Sequence, residues 1–433
     1  MKTLKTLLLL IAVALLFLPA CEKYNDGDGY NDTPKDDLFV FDVDWVQGTV
    51  YFDEDALSDL EKVDTADFRY YFDESNVEAS ALTAGDVLVI HGLALRKVTS
   101  ISNNGDQIVV ETEYASLNEA ISDGTVSWDY GVNFTSDLQP EMSIDGQIHQ
   151  FKRSTGDSFT LSTKIGSFDY KITMVFKGNK AEVTQEIEKS VGDDVKVKFA
   201  CEGVIEQFRT SNKIVYKNSE LAEYEYDNKG LKGELTVSLT AAGSGQDKIS
   251  FEFPTTLISF PFMVGPIPVK VNVKVFFVAE AFVPPEGSAQ VSAKFTYNSG
   301  TGVKYSLGGD VQANGDEGSY SIKKKKAQTG AASAIGINFG LGFPRLEVGI
   351  FGSLLVPWVH TAFLVGGDFT FTPACQQAKA AYIGACGYDF GILGYEKKGI
   401  KNLWYIEEIL LQSGDCDGGE PLGFGESSGL LLN

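Results

Sequence analysis

One short stretch near the end of the sequence resembles the nucleophile site of a hydrolase. Residues 425–429 read Gly-Glu-Ser-Ser-Gly, which places Ser427 in the spacing of a nucleophile elbow. Such an elbow needs a buried strand before the serine and a helix after it, and the triad histidine normally comes later in the chain. A glycine-rich segment precedes Ser427 and no histidine follows His360. We therefore do not expect Ser427 to be catalytic.

Adjacent carboxylates offer a second kind of hydrolytic chemistry, because pairs of Asp and Glu side chains cleave glycosidic bonds. Glu407 and Glu408 form such a pair. The chain has 59 Asp and Glu residues, so adjacent acids are common in it, and we expect this pair on a solvated face. A hydrolase assembled from distant carboxylates is the less favoured alternative, and no catalytic residue is assigned.

Histidines and cysteines give little support for a metal or redox site. His91, His149 and His360 lack the spacing of metal ligands, so we predict neither a metal nor a cofactor, and His91 should end a strand. No pair of cysteines has the Cys-x-x-Cys spacing. Four cysteines in an exported protein could form two disulfides in three connectivities. They are Cys201, Cys375, Cys386 and Cys416. We expect a bridge among the last three, whereas Cys201 could equally be a buried thiol on the apolar face of its strand.

Two further groups of side chains could bind a ligand. Lys323–Lys326 is the only basic run, and it indicates either a solvated hairpin or contact with an anionic lipid or glycan. Aromatic side chains could stack on sugar rings, although most aromatic residues pack in cores. The candidates are Tyr70, Tyr71, Phe72, Trp128 and Tyr130. Trp128 is the most interesting because it follows a predicted short helix near a domain edge.

The charge balance excludes a nucleic-acid-binding surface. The formal net charge is −23, from 36 Lys and Arg against 59 Asp and Glu, whereas phosphate binding needs clustered cations. Hydrophobic residues make up 43% of the chain and aromatic residues 12%, enough for packed cores.

The N-terminal residues resemble the processing signal of a bacterial lipoprotein. Lys2 and Lys5 precede an apolar run from Leu7 to Leu18, which is too short to span a bilayer comfortably. Leu18-Pro19-Ala20-Cys21 is similar to a lipobox. The resemblance implies that residues 1–20 are a signal peptide and that Cys21 is lipidated and holds the protein on a membrane. The alternative is an ordinary signal peptide with a chance cysteine.

Residues 21–37 are predicted to be the lipidated cysteine and a flexible acidic tether. Residues 22–37 offer almost nothing to bury, so they cannot offset the entropy of ordering the chain. They resemble the acidic stretch that sends lipoproteins of Bacteroidota to the outer face of the outer membrane.

Asp26, Asp28 and Asp37 have the spacing of a calcium loop, but Asn31 stands where its glycine is required. Asp64-Thr65-Ala66 resembles the short O-glycosylation sequence of the same bacteria, which implies a glycan on Thr65.

Alternating apolar residues predict strands along most of the remaining chain. In residues 38–150 we expect a small, mostly β domain with a hairpin turn at Asn104-Gly105. Ser116 and Glu119 form a capping box, so a short helix at 117–122 should follow, and Gly124 should end it. One or two helical turns are also expected within residues 55–62.

Residues 151–433 are predicted to form a large antiparallel β domain with one buried and one solvated face. In residues 335–343 every second residue is small or polar, mostly glycine, which allows close backbone approach or a curved sheet. Residues 373–390 could form a helix or a strand, and the neighbouring strands favour a strand.

Together these features predict a mostly β protein of antiparallel sheets, either sandwich-like or extended and curved, with one or two short helices. The leading functional hypothesis is a non-enzymatic cell-surface lipoprotein that binds an extracellular polymer or protein. The alternative is a periplasmic or surface protein that handles lipids or other hydrophobic ligands, because residues 252–283 and 331–365 are strongly apolar.

Overall fold

The computed structural model describes residues 36–135, 138–144, 147–165, 168–191, 195–243, 247–283, 287–329, 335–352, 354–371, 374–414 and 416. All of them lie in one compact unit, Lys35–Asn433. The predicted signal peptide, Cys21, most of the tether, the first calcium-loop residues and Ser427 lie outside the described residues.

The fold is mostly β and its sheets are almost entirely antiparallel, as the sequence predicted. The strands are β1 (Leu38–Trp45), β2 (Thr49–Phe52), β3 (Leu60–Asp64), β4 (Arg69–Asp73), β5 (Val87–Ile90), β6 (Ala94–Asn103), β7 (Gln107–Tyr114), β8 (Ile121–Val132), β9 (Glu141–Ile144), β10 (Gln147–Gln150), β11 (Lys152–Arg153), β12 (Ser158–Ile165), β13 (Phe168–Lys177), β14 (Lys180–Val191), β15 (Val195–Glu206), β16 (Phe208–Lys217), β17 (Glu220–Gly243), β18 (Asp247–Val264), β19 (Ile267–Val283), β20 (Gly287–Ser306), β21 (Gln312–Thr329), β22 (Ile335–Ile350), β23 (Leu354–Phe371), β24 (Ala374–Asp389) and β25 (Lys398–Gly414). The helices are α1 (Val77–Ala81), α2 (Leu117–Ala120) and the 3₁₀ turns Ala56–Asp59 and Gly391–Leu393.

A small sheet is built from residues 49–114. Its strand order is β2-β5-β6-β7-β4-β3, and only the β2–β5 pair is parallel. The sheet has a core of its own, separate from the main one, with Phe52, Phe72, Leu88, Ile90 and Val110 fully buried. The two helical elements at residues 56–59 and 77–81 lie within this part of the chain.

The large sheet has eleven strands among the described residues, and the long strands β17 and β20 pair at its centre. β15 and β16 follow each other along one side of β17, and β20 pairs with β17 on the other side. The ladder is interrupted between Asn228 and Leu231, opposite the junction of β15 and β16. At about 3.3 Å per residue, the 24 residues of β17 extend over roughly 80 Å.

The second sheet has the order β18-β19-β22-β23-β24-β25. It packs against the large sheet through aromatic side chains: ring centroids lie 4.9 Å apart for Phe295 and Phe363, and 5.8 Å apart for Tyr320 and Tyr382. Residues of both sheets and of α2 share one continuous hydrophobic core. The two sheets therefore depend on each other for burial of their apolar faces.

Several local predictions are confirmed. The Asn104-Gly105 turn joins β6 and β7, with Gly105 at φ +78°. The capping box is present, because the Ser116 backbone N–H donates to Glu119 at 2.9 Å. Residues 374–389 form a strand. The prediction for Gly124 was wrong: the helix ends at Ala120, and Gly124 lies inside β8, where its φ of +129° lets the chain pass close to β1.

The hydrogen-bonded sheets cross the boundary predicted at residue 150. β1 pairs with β8, and β8 pairs with β16 of the large sheet. The small sheet is thus an insertion between two strands of the large one. Within the described residues no helix is long and apolar enough to cross a membrane.

Candidate functional site

A strip of aromatic side chains lies along edge strand β1 and is the first candidate site. Alternation along the strand places Phe39 and Phe41 on one face, and Trp45 follows after a register shift. Tyr130, Phe262 and Tyr51 come from β8, β18 and β2. We call these six side chains the aromatic strip. β1 pairs only with β8 among the described strands, so the strip lies at the border of the large sheet.

The rings of the strip are in contact within two groups of three, one formed by Phe39, Tyr130 and Phe262 and the other by Phe41, Trp45 and Tyr51. Phe262 stacks on Tyr130 with centroids 4.3 Å apart and lies 5.5 Å from Phe39. Phe41 lies 5.7 Å from Trp45, and Trp45 stacks on Tyr51 at 6.2 Å. Phe39 and Tyr51 are 43% and 39% exposed, and the other four are half-buried. Packing on the core therefore fixes rings that remain open to solvent on one side.

Polar groups lie at one end of the strip. The hydroxyl of Tyr51 hydrogen bonds with Nδ1 of His91 at 2.7 Å, and Nε2 of His91 lies 3.4 Å from Glu54. Burial and the negative charges of Asp53 and Glu54 raise the pKa of Tyr51, so its hydroxyl stays protonated. As predicted, His91 directly follows a strand, β5. The strip thus ends in hydrogen-bonding groups that suit a hydroxylated ligand.

The strip contains only one of the aromatic residues that the sequence singled out. Tyr130 belongs to it, whereas Tyr70, Phe72 and Trp128 are at most 3% exposed. Trp128 supports the strip from below, with its ring 5.9 Å from that of Phe262. Tyr71 is half-buried under the ammonium of Lys62. Sequence reasoning did not identify Phe39 and Phe41 as site residues. Their alternation indicates a strand, but it does not show that the strand lies at the edge of a sheet.

A second candidate is a groove on the outer face of the large sheet, beside the interruption in the β17–β20 ladder. It has a volume of ≈ 470 Å³ and is lined by Lys180, Val204, Glu206, Lys232, Gly233, Glu234, Thr296, Tyr297 and Asn298. Glu206 lies 3.4 Å from Lys180 and 3.0 Å from Lys232. Burial raises the pKa of Glu206, but the hydrogen bonds and positive charges of the two lysines outweigh it, and the pKa lies below its ordinary value. Glu206 is therefore a poor general acid near neutral pH.

The carboxylates and histidines singled out in the sequence do not meet in one place. Glu407 and Glu408 are neighbours in β25 and point to opposite faces; Glu407 lies 2.8 Å from Lys379. His149 lies in β10, and His360 is fully buried in β23. Within the described residues no three His, Cys, Asp or Glu side chains are grouped as a metal ion would require.

A charged cluster is buried on the face of the second sheet that is turned away from the main core. Arg345 donates to Glu347 at 2.8 Å, and Lys274 also pairs with Glu347. The guanidinium of Arg345 lies 4.3 Å from the ring centre of Trp358. His360 lies opposite Arg345, and burial together with the charge of Arg345 lowers its pKa to about 3. Arg345, Glu347 and His360 are buried in this cluster, so we assign it to stability.

The cysteines and Thr65 have clear positions. Cys375 and Cys416 form a disulfide, whereas Cys201 and Cys386 are buried thiols. Burial raises the pKa of Cys201 to about 12 and that of Cys386 to about 11, so neither thiol is reactive. Thr65 is exposed in the turn between β3 and β4.

Of the predicted tether, only Asp36 and Asp37 are described. Asp37 accepts a hydrogen bond from the Gly131 backbone N–H at 2.8 Å and lies 3.6 Å from Arg209. Asp37 therefore lies close to the aromatic strip.

Comparisons with protein-family models, with curated proteins and with solved structures found no match for this chain.

Proposed function

We propose that this chain is a lipid-anchored protein of the bacterial outer membrane whose ectodomain faces the cell exterior and binds a neutral polysaccharide. The aromatic strip carries the proposal. Its rings offer apolar faces that packing holds in place. At one end of the strip, the Tyr51 hydroxyl and His91 can form hydrogen bonds with sugar hydroxyls. The strongly acidic character of the protein favours an uncharged partner at this surface, since the negative charges of Asp53 and Glu54 lie close to Tyr51.

The anchor rests on the resemblance of residues 18–21 to a lipobox. Cys21 would carry the lipid and residues 22–35 would link it to the folded part. The link would be at most about 50 Å when extended. Because Asp37 lies close to Arg209 and to the aromatic strip, the strip would remain within reach of polymers close to the membrane.

Binding can be measured with a soluble form that begins after Cys21, by affinity electrophoresis in gels containing glucans, mannans or xylans. The proposal expects retardation by at least one of these, and the Trp45→Ala/Tyr51→Ala variant should lose it. Tyr405→Ala is the matched control, because Tyr405 is a 50% exposed aromatic residue on β25. Equal retardation of the double variant and the wild type would refute the assignment of the site.

The handling of a hydrophobic ligand is a second candidate, and one observation favours it. Alternate residues of β23 and β24 place a second apolar layer on the face turned away from the main core. It contains Ala362, Leu364, Ala381, Ile383 and Ala385, which are at most 2% exposed and belong to neither core. Native mass spectrometry of the purified protein tests this candidate: co-purified lipid would support it, and a lipid-free protein that also ignores added lipid would refute it.

A further inference from the structure

The most concentrated positive charge of the molecule lies on the free edge of the large sheet. Lys323, Lys324, Lys325 and Lys326 belong to β21, and all four are exposed. β21 forms a ladder with β20 alone among the described strands, so one side of its backbone is left without a paired strand. We call these four residues the lysine edge. The sequence predicted either a solvated hairpin or contact with an anionic lipid or glycan at this position, and the run lies exposed in the second strand of the β20–β21 hairpin.

The lysine edge is not neutralised by the part of the chain that the structure describes. None of its four ammonium groups forms an ion pair with a described residue. Many other lysines of the protein do form one: Lys97, Lys164, Lys177, Lys180, Lys198, Lys213, Lys232, Lys274, Lys294, Lys304, Lys379 and Lys397. In a protein with a net charge of −23, an uncompensated cluster of cations is unexpected.

The local register decides how the lysines are presented. Lys323 lies directly opposite Lys294 in the ladder, and Lys294 is paired with Glu234 at 2.7 Å. Lys326 pairs with Ser292 and Lys324 with Ala293, so Lys325 is the extra residue of a β-bulge. A bulge bends the strand and re-aims its side chains. Lys323 and Lys326 lie opposite Lys294 and Ser292 on one face of the sheet, and Lys324 lies opposite Ala293 on the other. The four exposed residues span roughly 10 Å of the edge.

We propose that the lysine edge binds a linear anionic polysaccharide. A single chain can follow the edge and meet successive ammonium groups. A membrane surface fits less well, because a plane of anionic headgroups would also meet exposed acids of the same sheet. Glu202 lies in the same cross-strand row as Lys323, and Asp316 precedes the lysines on β21; both are exposed. This second site does not depend on the aromatic strip.

Dextran sulfate is the probe, with unsubstituted dextran as the uncharged comparison, and affinity is measured across a salt series. The wild-type soluble form should bind dextran sulfate and should release it as salt rises. The Lys323→Gln/Lys325→Gln/Lys326→Gln variant should bind about tenfold or more weakly and with a flatter salt dependence. Lys164→Gln/Lys177→Gln/Lys213→Gln removes the same charge from exposed, ion-paired lysines and should bind within about twofold of the wild type.

Three results would overturn the proposal. The first is a wild-type protein that does not bind dextran sulfate. The second is unchanged binding by the edge variant together with self-association in sedimentation velocity. In that case the lysines would only protect the strand edge from pairing, which is a common use of edge lysines. The third is binding to phosphatidylglycerol-containing phosphatidylcholine vesicles without binding to dextran sulfate, which would assign the lysine edge to a membrane surface.

Discussion

At the scale of single residues, the second sheet contains buried charges, on Arg345 and Glu347, that are tolerated only while both partners are present. Arg345 and Glu347 are 8% and 2% exposed at the side chain, and both lie close to Trp358 in the ladder. A buried ion pair adds little compared with an apolar pair, but removing one partner leaves a buried charge without compensation. The cluster therefore makes the fold sensitive to single substitutions.

Replacement of Glu347 by Ala should lower the free energy of unfolding by about 3–5 kcal/mol, because Arg345 and Lys274 lose their shared carboxylate. Urea denaturation measures this change. Glu223→Ala, which removes the partner of Lys213 in an exposed pair, should cost at most about 1 kcal/mol. Equal effects of the two substitutions would mean that the cluster is not buried as described.

His360 should make the stability depend on pH. Its pKa is about 3 in the folded protein and near the ordinary 6.5 when unfolded, so between these values the unfolded chain binds more protons. Stability is therefore complete above about pH 6.5 and falls by up to about 1.4 kcal/mol per pH unit as the pH drops toward 3. Urea denaturation at several pH values should show a shallower decline for His360→Gln, and an unchanged decline would contradict this prediction.

At the scale of strands and hairpins, the local pattern of the sequence carried much of the information. The alternation of apolar residues, the Asn104-Gly105 turn and the Ser116 capping box depend on neighbours in sequence, and all of them are found. Gly124 was misread because its close approach to β1 involves residues far away in the chain. The end of a helix and the close approach of two strands both favour glycine. The local sequence therefore does not show which of the two Gly124 serves.

Pairing between distant strands could not be predicted in the same way. β17 pairs with β15, β16 and β20, and the aromatic strip joins Phe39, Tyr130 and Phe262. Such contacts depend on which strands lie side by side, and alternation does not encode this. The sequence thus shows the aromatic residues and the lysines, but it does not show which of them lie together on one surface.

The disulfide is the clearest test at the element scale, because it joins the start of β24 to the chain just after β25. In the soluble form without Cys21, iodoacetamide should modify no cysteine of the native protein. Two should react after unfolding without reductant, namely Cys201 and Cys386, and all four after reduction. Mass spectrometry counts the added groups. Four modified cysteines without reductant would exclude the bridge.

Replacement of Cys375 and Cys416 by Ser should also destabilise the protein. The bridge closes a loop with a sequence separation of 41 residues, and loops of this size contribute about 2–4 kcal/mol in the chain-entropy account. The same substitution at the buried thiol of Cys386 tests only local packing, so it serves as the control. A double variant with unchanged stability would show that the bridge does not constrain the unfolded chain.

At the scale of the whole molecule, two exposed surfaces are carried on a large shared core. The aromatic strip lies at the β1 border of the large sheet, and the lysine edge lies on β21 at the end of a different branch of that sheet. Long strands and a continuous core make this scaffold rigid, and a rigid scaffold fixes the relative positions of its binding groups. The neutral polysaccharide proposed for the strip and the anionic one proposed for the lysine edge would therefore bind at separate, fixed positions.

The most direct test of the central claim uses intact cells that carry the full-length protein. They are incubated with the neutral polysaccharide that retards the soluble form, labelled with a fluorophore, and the retained fluorescence is measured. Cells with the wild type or with Tyr405→Ala should retain the label, whereas cells with Trp45→Ala/Tyr51→Ala or with Cys21→Ser should not. Equal retention by the aromatic double variant, at equal protein levels, would contradict the account.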